Sequence, residues 1–251
     1  MTLDTDSLQW RRDYVATAER FIDEDPVPFE SDEHGELLSV KHALYARILT
    51  LFQGALLLIE NDRQLDFRSH ARGVIEATIY LLHLDQHPEF IQRMHDDDFR
   101  SRFRRANLHL NAIGENADPE SIELLEDFVA RGLQGARAVE LSSLLAGNHF
   151  ERLYRSFRDI SGDTAHVSMT SLWKHVKEAE CGVNRLIVHP ELDEIELIHT
   201  RNGLGISVII ATLLIMKTKQ QTATWDDFSA LTERYRALVG ARVDEASEGA
   251  R

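Results

Sequence analysis

Residues 204–216, LGISVIIATLLIM, form the longest apolar run of the chain and decide its fold class. The run is shorter than the roughly 20 residues that a helix needs to cross a bilayer, so it predicts a buried helix. With its flanking residues it predicts one long helix over 193–219. Such a helix needs other helices around it, and the rest of the sequence supplies them.

Two further segments are predicted to pack against this helix. Residues 37–60 carry apolar side chains over too broad a surface for a helix that faces solvent on one side. Residues 66–85 repeat apolar side chains at the three-to-four spacing of a helix. We expect these two helices and the 193–219 helix to form the centre of a bundle of roughly seven to nine helices.

The predicted fold class is therefore all-α, as a single helical domain over residues 1–240. Two prolines and several acids predict a loop over 23–36, and the polar residues 241–251 predict a frayed tail. The stretch CGVNRLIVHPEL contains the one β-like pattern. We expect at most one short extended segment there, near residues 183–190.

Composition narrows the compartment and the partners. Cys181 is the only cysteine among 251 residues, which excludes an internal disulfide and favours a reducing compartment, so we expect a cytoplasmic protein with no membrane partner. The formal net charge of −14 argues against duplex DNA as a partner. The basic stretch RSRFRR, residues 100–105, is typical of a solvated helix face.

The helix predicted over 66–85 carries a polar strip beside its apolar face. At 100° per residue the strip contains five side chains, those of Arg68, Arg72, Glu76, Tyr80 and His83. Arg72 and Glu76 are four residues apart and can pair. A second helix packed on the strip would turn it into a desolvated cluster with shifted pKa values, whereas a free strip would be a solvated flank.

A second polar group is predicted at a corner between two helices. In YRSFRDISGDTAHVSM, residues 154–169, Gly162 is expected to end one helix and Asp163 to cap the next, which runs through Val176. Tyr154 and His166 flank this turn, and their side chains converge if the turn is tight. A purely structural corner, in which the tyrosine bonds the backbone, is the alternative.

These residues carry a family resemblance. The motif Arg72-Gly-Val-Ile-Glu76 within a helix, followed by Tyr154, Ser161 and His166, resembles a bacterial family of helical proteins known only as domain of unknown function five-six-seven-seven. The likeness covers about residues 40–220. It implies an all-helical fold in which a polar cluster joins the Arg-x-x-x-Glu helix to the Tyr-Ser-His corner, and it brings no established reaction.

Our leading hypothesis is an intracellular module that binds a small ligand or a protein partner, with no cofactor. Its predicted ligand-binding residues are Arg72, Glu76, Tyr154, Ser161 and His166. The identity of the ligand or partner is left open by the sequence. The apolar helices are also compatible with a homodimer, and a scaffold protein whose polar clusters only fix helix register remains an alternative.

Two chemical alternatives use other residues. Arg104 and His109 have the spacing of helical ribonucleases, in which arginine stabilises the phosphorane charge and histidine transfers the proton. A metal site in the bundle would instead use carboxylates and imidazoles on three helices. Its predicted ligands are Glu76, Asp163, His166, Glu196 and His199.

Overall fold

The computed structural model describes most of the chain, namely residues 5–24, 33–112, 118–133, 135–147, 150–164, 168–178, 184–218 and 224–248. Over these ranges the chain forms ten helices and one two-stranded sheet. In chain order they are α1 (Thr5–Glu24), α2 (Glu33–Glu60), α3 (Gln64–Gln86), α4 (Phe90–Ala112), α5 (Pro119–Ala130), α6 (Leu141–Leu144), α7 (Glu151–Thr164), α8 (Met169–Trp173), β1 (Val176–Glu178), β2 (Asn184–Leu186), α9 (Glu194–Met216) and α10 (Thr224–Glu248). The all-α prediction is confirmed.

Helices α2, α3 and α9 form the centre of the fold, as the apolar patterns predict. They pack against one another, and α3 also contacts α4, α6 and α7. Phe52, Ile75 and Leu204 are fully buried where these helices meet. A side chain of this size contributes about 1.5–3 kcal/mol when it leaves water, so the three central helices supply much of the driving force for folding.

The apolar central helices also resemble membrane spans in length and hydropathy. Among the described helices, α2 and α9 are long and apolar enough to cross a bilayer. The core helix of a soluble protein has the same properties, and 61% of the apolar window of α9 is buried here. The cytoplasmic location stays a prediction.

Helices α1 and α10 pack side by side and close one face of the core. The indole Nε1 of Trp10 donates a 2.7 Å hydrogen bond to the Leu231 carbonyl. Beneath it, the hydroxyls of Tyr14 and Tyr45 both bond the Thr212 hydroxyl, the latter at 2.8 Å. This buried network joins α1, α2 and α9, because each hydroxyl removed from water needs such a partner.

The region after Tyr154 differs from the prediction in two respects. Gly162 and Asp163 both lie inside α7, which continues to Thr164, and Ser168 caps α8 through the Ser171 amide. Gly162 can continue the helix because glycine costs only about 1 kcal/mol there, and that cost is offset by packing. The corner therefore begins later in the chain than the glycine suggests.

The extended region is a hairpin instead of one isolated segment. Strand β2 lies within the predicted β-like stretch, and it pairs antiparallel with β1, in the register Val176 to Leu186. Strand β1 was not predicted, because the spacing of Val176 from Leu172 also fits a helix. At the other end of the chain, α10 extends to Glu248, through most of the segment predicted as a frayed tail.

Candidate functional site

The polar strip of α3 is covered by another helix rather than by solvent alone. Helix α7 packs on α3, and α6 also contacts α3. Arg72 Nε donates to Ser161 Oγ at 3.0 Å, and His83 Nδ1 lies 3.0 Å from the Leu144 carbonyl. Two side chains of the strip, Arg72 and His83, therefore contact the helices that pack on α3.

Arg72 is the centre of a compact cluster. Its guanidinium carbon lies 4.7 Å from the centroid of the Phe157 ring, and its Nη1 lies 3.2 Å from Glu76 Oε2. The Arg72 and Glu76 side chains are 27% and 38% exposed, so the pair is only partly desolvated. Ser161 Oγ donates in turn to the Phe157 carbonyl at 2.6 Å. We call Arg72, Glu76, Phe157 and Ser161 the Arg72 cluster.

The other predicted ligand-binding residues are placed as follows. Tyr154 lies one turn before Phe157 and stacks on its ring, with 6.3 Å between the ring centroids. It joins the Arg72 cluster through that ring. His166 lies outside the described residues. That these five residues bind a ligand stays a prediction.

Burial shifts two pKa values on the same strip of α3. Partial burial, with repulsion from Asp97 and Glu76, raises the pKa of Tyr80 to about 12. Burial also lowers the pKa of His83, although the hydrogen bond to the Leu144 carbonyl acts in the opposite direction. Both groups are therefore uncharged near neutral pH. Both rings pack against the Phe90 ring, with 5.8 Å between the centroids for Tyr80 and 4.6 Å for His83.

A groove lies on the far side of α7, where this helix faces α9. Its volume is ≈ 780 Å³, which is within the range of small-molecule sites. The lining includes Phe150, which precedes α7, with Leu153, Ser156 and Ile160 of α7, and α9 supplies Thr200, Gly203, Ile206 and Ile210, among others. We call this cavity the α7–α9 groove.

Gly203 lies where α9 packs closely against α3 and α7. A Cβ at this position would lie 3.3 Å from Ile75 Cδ1 and 3.6 Å from Ser156 Cβ. The first contact would require the end of the Ile75 side chain to shift by a few tenths of an ångström, whereas the second is an ordinary van der Waals distance.

One end of the groove is built around Arg68. The Arg68 side chain is 6% exposed, and Nη2 donates to the Asp159 carbonyl at 3.1 Å. Its Nη1 lies 3.4 Å from Thr200 Oγ1 and 3.8 Å from Glu196 Oε1. Lys174 Nζ lies 2.7 Å from both oxygens of the same Glu196. Arg68 thus ties α3 to both walls of the groove.

Arg68 belongs to the strip predicted from the sequence, but its role in the groove was not predicted. Ser156, Asp159 and Asn202, which line the cavity, were not predicted either. The only signal was indirect, since Arg68 precedes Arg72 by four residues and therefore faces the same helix.

The candidate ribonuclease residues lie on the periphery. Arg104 and His109 are both exposed on α4. In this helix only Phe90 and Ala106 are buried. The two candidates therefore lie on the surface, away from the Arg72 cluster and the groove, and their nuclease role stays a prediction.

The candidate metal ligands are divided among separate environments. Glu76 pairs with Arg72, and Glu196 pairs with Lys174, while His199 is exposed on the groove side of α9. No group of three histidine, cysteine or acidic side chains suited to a metal ion occurs among the residues the structure places. The Asp163 side chain and His166 fall outside those residues, so the metal site stays a prediction.

The protein is thus an all-α, multi-helix protein in which the polar strip of α3 packs against other helices and the α7–α9 groove lies beside it. The model of the family of unknown function DUF5677 matches residues 38–183, from α2 to the hairpin. The chain belongs to this family, as the Arg-x-x-x-Glu and Tyr-Ser-His motifs predict. No curated protein and no solved structure matches the chain.

Proposed function

We propose that this protein is a binding module for a small organic ligand, and that the α7–α9 groove is its binding site. The observation that carries the proposal is the cavity itself, which has a mainly apolar surface and most of its polar side chains toward one end. This combination is typical of small-molecule sites, where apolar contacts give affinity and a few polar groups orient the ligand.

The dimensions of the groove fit a small elongated molecule. Its lining runs from Phe150, just before α7, to Ile160 on α7, and from Ile195 to Ile210 on α9, about 15 and 22 Å along the two axes. The volume of ≈ 780 Å³ is that of a small-molecule site.

The Arg72 cluster has a supporting role in this proposal. It lies where α7 meets α3, and it fixes one wall of the groove through the bond from Arg72 to Ser161. Replacing Arg72 should weaken ligand binding by letting α7 shift, without removing a direct contact to the ligand. The family motif would then preserve the position of α7 rather than a reacting group.

Binding of the neutral dye Nile red, whose emission rises in apolar surroundings, tests the proposal. Ile206 lines the groove and is 44% exposed, so Ile206→Trp should fill the cavity without disturbing the core. Leu213, on the same helix, is 45% exposed and does not line the cavity, which makes Leu213→Trp a matched control. We expect Ile206→Trp to weaken dye binding at least about tenfold, a change of about 1.4 kcal/mol.

The control variant should bind the dye like the parent protein. Equal binding by the parent and Ile206→Trp, or no binding by the parent, would refute the groove as the site. Circular dichroism of both tryptophan variants verifies that each is folded.

A further inference from the structure

The two ends of the α7–α9 groove differ in polarity because α7 and α9 run antiparallel. Asp159, late in α7, shares the Arg68 guanidinium with Thr200, early in α9. One turn further along the groove, Ser156 lies against Gly203. The remaining lining comes from Phe150, the first turns of α7 and the middle of α9, and apart from Arg152 it is apolar: Phe150, Leu153, Ile206 and Ile210.

The cationic side chains at the polar end already bind acceptors of the protein itself. Arg68 is held by the Asp159 carbonyl and by Thr200, with the Glu196 carboxylate at 3.8 Å. Lys174 spans both oxygens of Glu196 at 2.7 Å. A ligand anion placed here would have to compete with these bonds, which are charge-assisted and therefore strong.

The acidic side chains at the same end differ in whether they already have a protein partner. Glu196 is neutralised by Lys174, and the Asp193 carboxylate caps α9 through the Glu196 amide at 2.7 Å. The Asp159 carboxylate lines the groove and is exposed. Asp159 forms no ion pair with any residue in the described ranges. Among the acids at this end, Asp159 is therefore the one that a ligand cation can pair with without breaking an ion pair or a helix cap of the described residues.

The other charges near the groove also favour a positively charged ligand. Arg152 is the second cation of the lining, but it lies seven residues before Asp159, about 10 Å away along α7. His199 is exposed at the rim. The chain as a whole has a formal net charge of −14, which raises the local concentration of small cations and lowers that of anions.

From these observations we infer that the ligand is an elongated amphiphile with a protonated amine at one end and an apolar body. The amine pairs with Asp159, and the apolar body lies along Leu153, Ile206 and Ile210. The inference rests on the proposed function of the groove and specifies the chemical class of its ligand.

Three eight-carbon probes that differ only in the head group test the inference, namely n-octylamine, n-octanol and n-octanoate. Each is titrated against the full chain at pH 7 and low salt, with displacement of Nile red as the readout. We expect octylamine to bind at least about tenfold more tightly than octanoate, with octanol between them. Asp159→Asn should lower octylamine affinity about tenfold and leave octanol affinity within about twofold.

Arg152→Gln provides a control of opposite sign, since removal of a cation from the rim should leave octylamine affinity equal or slightly higher. Octanoate binding as tightly as octylamine, or an Asp159→Asn variant with unchanged octylamine affinity, overturns the inference. If Nile red still binds in an Ile206-dependent way, the proposed function survives that result. If the dye does not bind at the groove, the proposed function fails, and the inference fails with it.

Discussion

Arg72 and Ser161, which are far apart in the sequence, are joined by a 3.0 Å hydrogen bond from the guanidinium Nε to the hydroxyl Oγ. The bond connects the middle of α3 to the last turn of α7. The Ser161 hydroxyl in turn donates a hydrogen bond to the Phe157 carbonyl, and the Phe157 ring lies under the guanidinium. One side chain of α3 thus holds α7 by both a polar and an aromatic contact.

The first prediction concerns this coupling. Arg72→Ala should lower the free energy of unfolding by about 1–3 kcal/mol, since it removes a charge-assisted hydrogen bond and a cation–π contact. Ser161→Ala should cost less, and the double variant should cost about 1 kcal/mol less than the sum of the two. Urea denaturation measures all three. If the two losses of free energy simply add in the double variant, the Arg72–Ser161 bond contributes nothing to stability.

The second prediction contrasts two glycines. A Cβ on Gly205 would lie 2.6 Å from Tyr235 Cζ, whereas a Cβ on Gly162 meets nothing within 4 Å. Gly205→Ala should therefore destabilise the protein by about 1–3 kcal/mol, because the α10 tyrosine must move. Gly162→Ala should stabilise it by about 0.5–1 kcal/mol, because alanine favours the helix. Thermal denaturation measures the stability of both variants. A loss of stability in Gly162→Ala would contradict the position of Gly162 within α7.

The third prediction is a loss of stability at alkaline pH. Burial, the largest cause, raises the pKa of Tyr14 and of Tyr45 above the usual value of 10.0, and the pKa of Tyr80 rises to about 12. The unfolded chain therefore loses these protons first. The stabilising contribution is complete below about pH 10 and declines above it, by up to about 1.4 kcal/mol per pH unit for each fully buried tyrosine.

Urea midpoints between about pH 9 and pH 11.5, together with tyrosinate absorbance near 295 nm, measure this effect. Tyr80→Phe should flatten the upper part of the curve, because it removes one of the shifted groups. Midpoints that stay constant up to pH 11.5 would contradict the burial of these hydroxyls.

The fourth prediction concerns the hairpin. Lys174 follows α8 and binds Glu196 in the first turn of α9, so it anchors β1 and β2 to the helical core. Lys174→Ala should lower global stability by only about 1 kcal/mol, because the pair is partly exposed. It should also speed hydrogen exchange at the Ile187 amide, which donates to the His175 carbonyl at 2.8 Å.

Lys177→Ala is the control for this experiment, since Lys177 lies on β1, is exposed and has no ion pair within the described ranges. Its exchange rates should match those of the parent protein. If both alanine variants exchange equally fast, the anchoring role of Lys174 is wrong.

Features set by local chemistry could be predicted from the sequence, and features set by the alignment of distant helices could not. The breadth of apolar positions in α2 and α9 requires burial, so the three central helices were predictable. Val176 was misassigned because its spacing from Leu172 also fits a helix. Only its partner Leu186, on the other strand, determines that it lies in a sheet.

The candidate site divides in the same way. Arg72 and Glu76 share one helix face by sequence spacing alone, and the family motif associates them with Ser161. The groove depends on which turn of α9 meets which turn of α7. That register is set by Gly203 beside Ser156 and by Arg68 between the two helices. Neither contact leaves a periodic signal in the sequence.

The packing of α1 against α10 has a consequence for biosynthesis. A ribosome releases Trp10, Tyr14 and Phe21 long before it adds Phe228 and Leu231, which cover them in the finished fold. During most of translation these rings lack their final cover, and exposed aromatic surface of this kind promotes aggregation. The nascent chain is therefore expected to need a chaperone until its last long helix emerges.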